Sequence, residues 1–212
     1  MPVSEAMRYL GAQNGDDALR AQVEAVMRSI TDVPRFTFRV FDLTFRGDSP
    51  ALSDLVLPGK TAKKILAGCE KAVLLACTMG LQFDARLRSL QARSMADALI
   101  LNACGSALVE KGCDDAELEI AQRFPSLYLT DRFSPGYGDL PLTIQKDLCA
   151  ALDAQRRLGI SLTDSMLMNP SKSVTAIIGL SSVPQMARIR GCGYCSMKET
   201  CALRKGGKHC GL

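Results

Sequence analysis

The sequence predicts an α+β fold, with helices packed on a mostly antiparallel sheet. Three observations carry this. Segments with apolar residues three and four apart are mixed with segments of period two. Their order has no steady strand–helix–strand beat, which argues against a parallel sheet. Of 212 residues, 47% are hydrophobic and 23% charged, enough to bury a sizeable core.

The elements follow in chain order. Ser4 to Leu10 and Asp16 to Ile30 are expected as amphipathic helices, the second carrying Leu19, Val23, Val26, Met27 and Ile30 behind an acidic start. Arg35 to Phe45 sets Phe36, Phe38 and Val40 against Thr37 and Arg39, the period of a strand. "GKTAKKILAGC" reads as a helix with Thr61 as cap and Gly68 as stop. Lys71 to Thr78 is a short apolar run, expected as a buried strand. Phe83 to Gly112 reads as two helices broken near Arg93 or Ser94, the second apolar nearly all round and therefore a core helix. "DDAELEIAQRF" extends the helical region briefly, and "SLYLT" reads as a strand. Thr143 to Ile160 keeps Ile144, Leu148, Leu152 and Leu158 in helical phase up to Gly159. Finally, "DSMLMNPSKSVTAIIGLSS" has the pattern of strand, turn at Asn169 to Lys172, and strand, which is a hairpin.

Composition narrows the class. No apolar run approaches the roughly 18 residues of a membrane span, and "MPVSEAMRYLGAQNGDD" has no basic region followed by an apolar stretch. A soluble cytoplasmic protein is expected. The net charge of +4 is concentrated in the last 27 residues, where Arg188, Arg190, Lys198, Arg204, Lys205 and Lys208 face one acid, Glu199. A basic tail on a near-neutral body is not the pattern of a nucleic-acid-binding protein. Of nine cysteines, Cys69, Cys77, Cys104, Cys113 and Cys149 sit among apolar residues and read as small hydrophobes. The other four, Cys192, Cys195, Cys201 and Cys210, crowd into the tail. The domains are therefore drawn as 1–185 and a cysteine-rich tail, 186–212.

The tail has the spacing C-x2-C-x5-C-x8-C. Thiolates clustered around glycines suit sulfur coordination, by an iron–sulfur cluster or by zinc. Only the first pair has the short spacing of a zinc knuckle, so the cluster is the preferred reading. His209, the single histidine, reads as a solvated tail residue.

Three further motifs bear on function. "PGKT" at Pro58 to Thr61 suggests a phosphate loop, but Asp54 stands where that motif needs glycine, so a helix start is the better reading. Asn102, Ser106 and Glu110 fall at i, i+4 and i+8 on an otherwise apolar helix. Such a stripe is either a hydrogen-bonded core network or the wall of a ligand site; a carboxylate there calls for a cationic partner. "RFSPGYGDLP" (Arg132 to Pro141) packs two prolines, two glycines and a tyrosine into ten residues. It is either a structural turn with Arg132 on the surface, or a shaped loop whose arginine receives a carboxylate and whose glycines admit a ligand to the backbone.

"RFSPGYGDLP" resembles the Arg-Pro-x-Pro-Gly-Tyr-x-x-x-Pro loop of the activation domain of cobalamin-dependent methionine synthase. "MNPSKSVTAIIG" resembles that domain's Met-x-Pro-x-x-Ser-Val segment. "EAMRYLG", "LLACTMG" and "SALVEKG" are similar to stand-alone members of the family. The resemblance runs from about Ser4 to Ser182 and leaves the tail outside. It implies S-adenosylmethionine bound in a groove and presented to a corrinoid that a partner holds. Cobalt stranded as Co(II) is reduced to Co(I) and captured by methyl transfer, and the uphill reduction is drawn on by the favourable transfer in one complex.

By the same resemblance, Arg132 meets the methionine carboxylate, Gly136 and Tyr137 contact the adenosine through their backbone, and Glu110 lies near the amino end. Asp42 in "FDLTF" lines up with an Asp-x-Thr at the ligand. A zwitterionic amino-acid end needs one donor and one acceptor, which suits Arg132 and Glu110 as a pair. Phe133 and Ser134 depart from the usual Pro-Ala, and Asp139 adds a charge that the synthase loop lacks. With no Asp-x-His-x-x-Gly, the corrinoid must come from the partner: a corrinoid protein, or a methionine synthase without its own activation domain. A low-potential donor such as ferredoxin or flavodoxin is a further expected partner, through the cysteine tail. The alternatives are a non-catalytic binding module of the same fold and a zinc knuckle on nucleic acid. The neutral body and the single tail aromatic, Tyr194, oppose the latter.

Overall fold

The computed structural model describes residues 2–12 and 17–185. The expected metal ligands Cys192, Cys195, Cys201 and Cys210 lie outside the described residues. In order, the elements are α1 (Pro2–Tyr9), α2 (Asp17–Ser29), β1 (Arg35–Arg46), β2 (Ser49–Leu52), β3 (Leu55–Val56), α3 (Lys60–Ile65), β4 (Lys71–Thr78) and α4 (Leu81–Gln91). They continue with α5 (Met95–Arg123), β5 (Tyr128–Leu129), α6 (Ile144–Leu152), α7 (Ala154–Leu158), β6 (Ser161–Leu162), β7 (Met168–Asn169) and β8 (Ser173–Ser181).

A six-stranded sheet has the order β3-β2-β1-β4-β8-β5, and β6 with β7 forms a separate two-stranded sheet. The pairs β1–β2, β2–β3, β5–β8 and β6–β7 are antiparallel. Of the inner strands, β4 and β8 are the ones with continuous apolar sequence, buried from Ala72 to Cys77 and from Ala176 to Leu180. A strand covered on both faces has no solvent side to keep polar, so its alternation disappears. This is the α+β architecture the sequence predicts.

The described residues divide into two compact units, one of residues within 1–38, 75–119 and 149–175, the other of 39–74, 120–148 and 176–185. In the first, α1, α2 and α5 close a cluster around Met7, Val23, Ile100 and Cys104. Two glycines of α5 make room for neighbours there: Gly105 for the ring of Phe83, and Gly112 for Pro34 and Cys77. In the second unit, Gly179 of β8 lets the end of α3 and Thr130 approach, with Leu66 Cδ2 and Thr130 Cγ2 each 3.0 Å from where a Cβ would stand.

Two local expectations are corrected, the single helix from Thr143 to Ile160 and the hairpin into β8, and two other segments are specified further. Strands β2 and β3, four and two residues long, are too short to show a period; β2 is made a strand by its register with β1, Leu43 opposite Leu52, and β3 by its register with β2, Leu52 opposite Leu55. The 29 residues of α5 form one helix, so the "DDAELEIAQR" stretch is its continuation to Arg123. The helix expected from Thr143 to Ile160 is two, because Asp153 adopts a left-handed φ of 52°. The expected hairpin into β8 is absent. Met168 and Asn169 pair instead with Leu162 and Ser161, across a turn closed by Thr163, whose hydroxyl accepts from Leu167 N at 3.1 Å.

Candidate functional site

Arg132 is held between two rungs to β8. Before it, Thr130 N donates to Gly179 O (2.9 Å) and Gly179 N to Thr130 Oγ1 (2.8 Å). After it, Phe133 and Ile177 exchange both backbone bonds at 3.0 and 2.8 Å. Phe133, which replaces the usual proline, is 2% exposed and serves as a core anchor. The arginine itself is half-buried.

The rest of the loop closes on itself. Tyr137 N donates to Ser134 O, Leu140 N to Tyr137 O, and Gly136 N to Leu140 O, all within 2.9–3.0 Å. Gly136 and Gly138 take φ of +86° and +58°, conformations that glycine adopts without steric cost. Leu140 is buried, whereas Tyr137 is 43% exposed and Gly136 is open. The result is a turn with an exposed backbone rim, set on a buried base.

Asp139, the charge that departs from the synthase loop, has a structural partner that the sequence does not announce. Its Oδ2 accepts from Lys60 N at 2.7 Å and its Oδ1 from Thr61 N at 2.9 Å. Helix α3 starts at Gly59, which has no side chain to cap it, so Asp139 supplies the acceptors for the first free amides. Thr61 is therefore not the cap. It is the second helical residue, and its hydroxyl faces Asp139 N at 3.4 Å. The Thr61 hydroxyl, then the Thr61 and Lys60 amides, hold the Asp139 carboxyl down to about 2. Both glycines at the junction are needed: a Cβ on Gly59 would stand 2.7 Å from Asp139 Oδ1, and one on Gly138 would overlap Thr61. "PGKT" and "RFSPGYGDLP" are thus the two halves of one clasp.

The other expected site residues are placed as follows. Asp42 lies on β1 and is paired with Lys71 of β4, its side chain 82% exposed. Glu110 is half-buried on α5 in the first unit. There, burial and then the Glu110 carboxylate push the Tyr9 phenol above its usual value. Ser106, one helical turn from Glu110, belongs to a hydrogen-bonded network. It accepts from Lys172 Nζ at 2.9 Å and donates to Asn102 O at 3.2 Å.

The same network fastens the "NPSKSV" segment to the start of α4. Asp84, 4% exposed, accepts from Ser171 N at 2.6 Å and from Ser171 Oγ at 3.0 Å. Ser173 Oγ meets Thr78 Oγ1 at 2.8 Å, and Met79 N donates to Lys172 O at 2.9 Å. Burial depresses the Lys172 amine, while the Asp84 charge acts the other way. Neither Asp84 nor Lys172 stands out in the sequence, because their partners lie about 65 to 90 residues away. Among the described residues, no group of three His, Cys, Asp or Glu side chains is arranged to hold a metal. No helix among them is long and apolar enough to cross a membrane.

Residues 47–189 match the family model described as vitamin B12 dependent methionine synthase, activation domain. The chain belongs to this family. The matched span takes in both the Arg132 loop and the "MNPSKSV" segment. A crystal structure of the MetH reactivation domain bound to AdoHcy is similar in fold, with a TM-score of 0.61 at 14% identity, over 92% of this chain and 76% of that one. No curated protein matches the chain in sequence.

Proposed function

We propose that the chain binds S-adenosylmethionine and supports reductive methylation of an inactive Co(II) corrinoid. The corrinoid is held by a partner, a corrinoid protein or a methionine synthase lacking its own activation domain. The observation that carries this is the family match across residues 47–189, which includes the loop with Arg132, Gly136 and Tyr137. In support, the structurally similar MetH domain is bound to AdoHcy, the demethylated counterpart of S-adenosylmethionine, which lacks the sulfonium charge and keeps the amino-acid end.

The loop offers groups that fit such a ligand. Arg132 on its anchored base suits a carboxylate. The exposed residues Gly136 and Tyr137 suit an adenosyl group. Glu110 is assigned to the ammonium and sulfonium end, and Asp42 to the same ligand, by sequence resemblance. Bound S-adenosylmethionine supplies an electrophilic methyl group; the residues of this chain bind and orient it. In the same reading Cys192, Cys195, Cys201 and Cys210 hold an iron–sulfur cluster, zinc being the alternative, and a ferredoxin or flavodoxin delivers the electron.

Calorimetric titration with S-adenosylmethionine tests the binding. Wild type is expected to bind, with affinity lost in Arg132→Ala and reduced in Glu110→Gln. No binding by wild type overturns the reading. Reactivation is then assayed with a Co(II) corrinoid protein and a reductant; binding without reactivation leaves a non-catalytic module. For the tail, anaerobically purified protein is expected to be brown, and Cys192→Ser with Cys195→Ser colourless. A colourless wild type containing zinc overturns the cluster.

A further inference from the structure

Asp139 lies outside the residues to which the family resemblance gives a ligand, yet its side chain is firmly engaged. Its carboxylate takes two of the free amides at the start of α3, those of Lys60 and Thr61, at 2.7 and 2.9 Å. Its own amide faces the Thr61 hydroxyl. The clasp is sterically closed from both sides, by Gly59 and by Gly138. It joins the loop at the residue directly after the Gly136–Gly138 rim. It leaves Tyr137 exposed, so the latch and the ligand rim do not compete for the same atoms.

We propose that Asp139 is a positioning residue: by latching the loop to α3 before any ligand arrives, it presets the Gly136–Tyr137 rim for the adenosyl group. The inference rests on the S-adenosylmethionine reading above. Physically, a loop already fixed in its bound shape has less conformational entropy to lose when ligand binds. A surface loop of ten residues held only by its own turn bonds would have to be ordered at that step. Charge-assisted bonds from a carboxylate to backbone amides are strong for their size, and two of them converge on one side chain here. Arg132 does not share this dependence, because its base is fastened separately to β8 through Thr130 and Phe133.

The latch should therefore act on one end of the ligand only. The probes are S-adenosylhomocysteine, which has both ends, and 5′-methylthioadenosine, which lacks the amino-acid end. Titrations use the full chain. Asp139→Ala is expected to weaken both probes by the same factor, about tenfold, the scale of one or two lost hydrogen bonds to a charged group. Arg132→Ala should weaken only S-adenosylhomocysteine. Asp139→Asn, which keeps one acceptor oxygen, should fall between wild type and Asp139→Ala. Gly59→Ala, placed on the α3 side of the clasp and away from the ligand loop, should reproduce the loss. Amide hydrogen exchange should quicken at Lys60, Thr61, Gly136 and Leu140 while the β8 amides keep their protection, which separates a released loop from a loosened fold. If wild type binds neither probe, the reading and the latch fall together. If wild type binds and Asp139→Ala and Gly59→Ala bind equally well, the latch alone is overturned.

Discussion

The ring of Phe83 occupies the space that Gly105 leaves open, so that a Cβ on the glycine would overlap the ring. Both residues are buried, and the ring is wholly inaccessible. Glycine in the middle of a 29-residue helix costs roughly 1 kcal/mol relative to alanine, and the sequence accepts that cost to seat an aromatic side chain. Gly105→Ala should therefore destabilise the protein, by about 1–3 kcal/mol, despite its better helix propensity. Denaturant unfolding of the variant checks the sign; a stabilised Gly105→Ala would show that α5 can move away from Phe83.

Asp84 and Ser171 form a second such pair. The carboxylate is buried and accepts two bonds from one residue. Asp84→Ala removes the charged acceptor of the Ser171 amide and hydroxyl, and should lower stability by about 1–3 kcal/mol. Asp84→Asn, which can still accept one bond, should lose less. Thermal unfolding of the two variants gives the order.

Lys172 provides a pH dependence. Burial depresses its amine below 10.5. Below the folded value the lysine is charged in both states, and the cost of burying that charge is present in full. Between the folded and the unfolded values the unfolded chain binds more protons, so stability rises with pH. The gain in wild type should appear in the alkaline range just under 10.5 and be absent from Lys172→Met. Paired denaturant titrations from pH 8 to 10.5 isolate the difference from other titrating groups. A parallel course of the two proteins would assign the network no electrostatic cost.

The scattered cysteines should differ in reactivity. Cys77, Cys104, Cys113 and Cys149 are buried, and Cys69 is partly exposed. Burial raises the Cys104 thiol to about 11, and thiolate is the reacting form. Under native conditions at pH 8, alkylation followed by peptide mass analysis should label Cys69 well before these four. Rapid labelling of Cys104 would mean that the packing of α5 against α2 opens readily.

Much of the architecture was legible along the chain. β1 was visible in its period of two, α2 in its period near 3.6, and β4 and β8 in their apolar runs. The break at Ala92 to Ser94 and the stops near Gly68 and Gly159 followed from local preferences of the backbone. The loop at Arg132 to Pro141 was marked out by composition and by resemblance. These signals are local: each depends on residues within a few positions of one another, and backbone sterics and burial act over that range.

The partners across long sequence separations were decided by tertiary structure. Thr61 looked like the cap of α3, but the acceptors come from Asp139, 78 residues later. Ser106 could have been a ligand wall or a core network, and Lys172, 66 residues away, places it in a network. β2, β3 and β7 became strands through the edges available to them, because two to four residues carry too little pattern to specify a partner. A hydrogen-bonding group sets out only that it must be satisfied. Which distant group satisfies it follows from how the apolar segments pack, and that packing brought Asp139 to the uncapped end of α3.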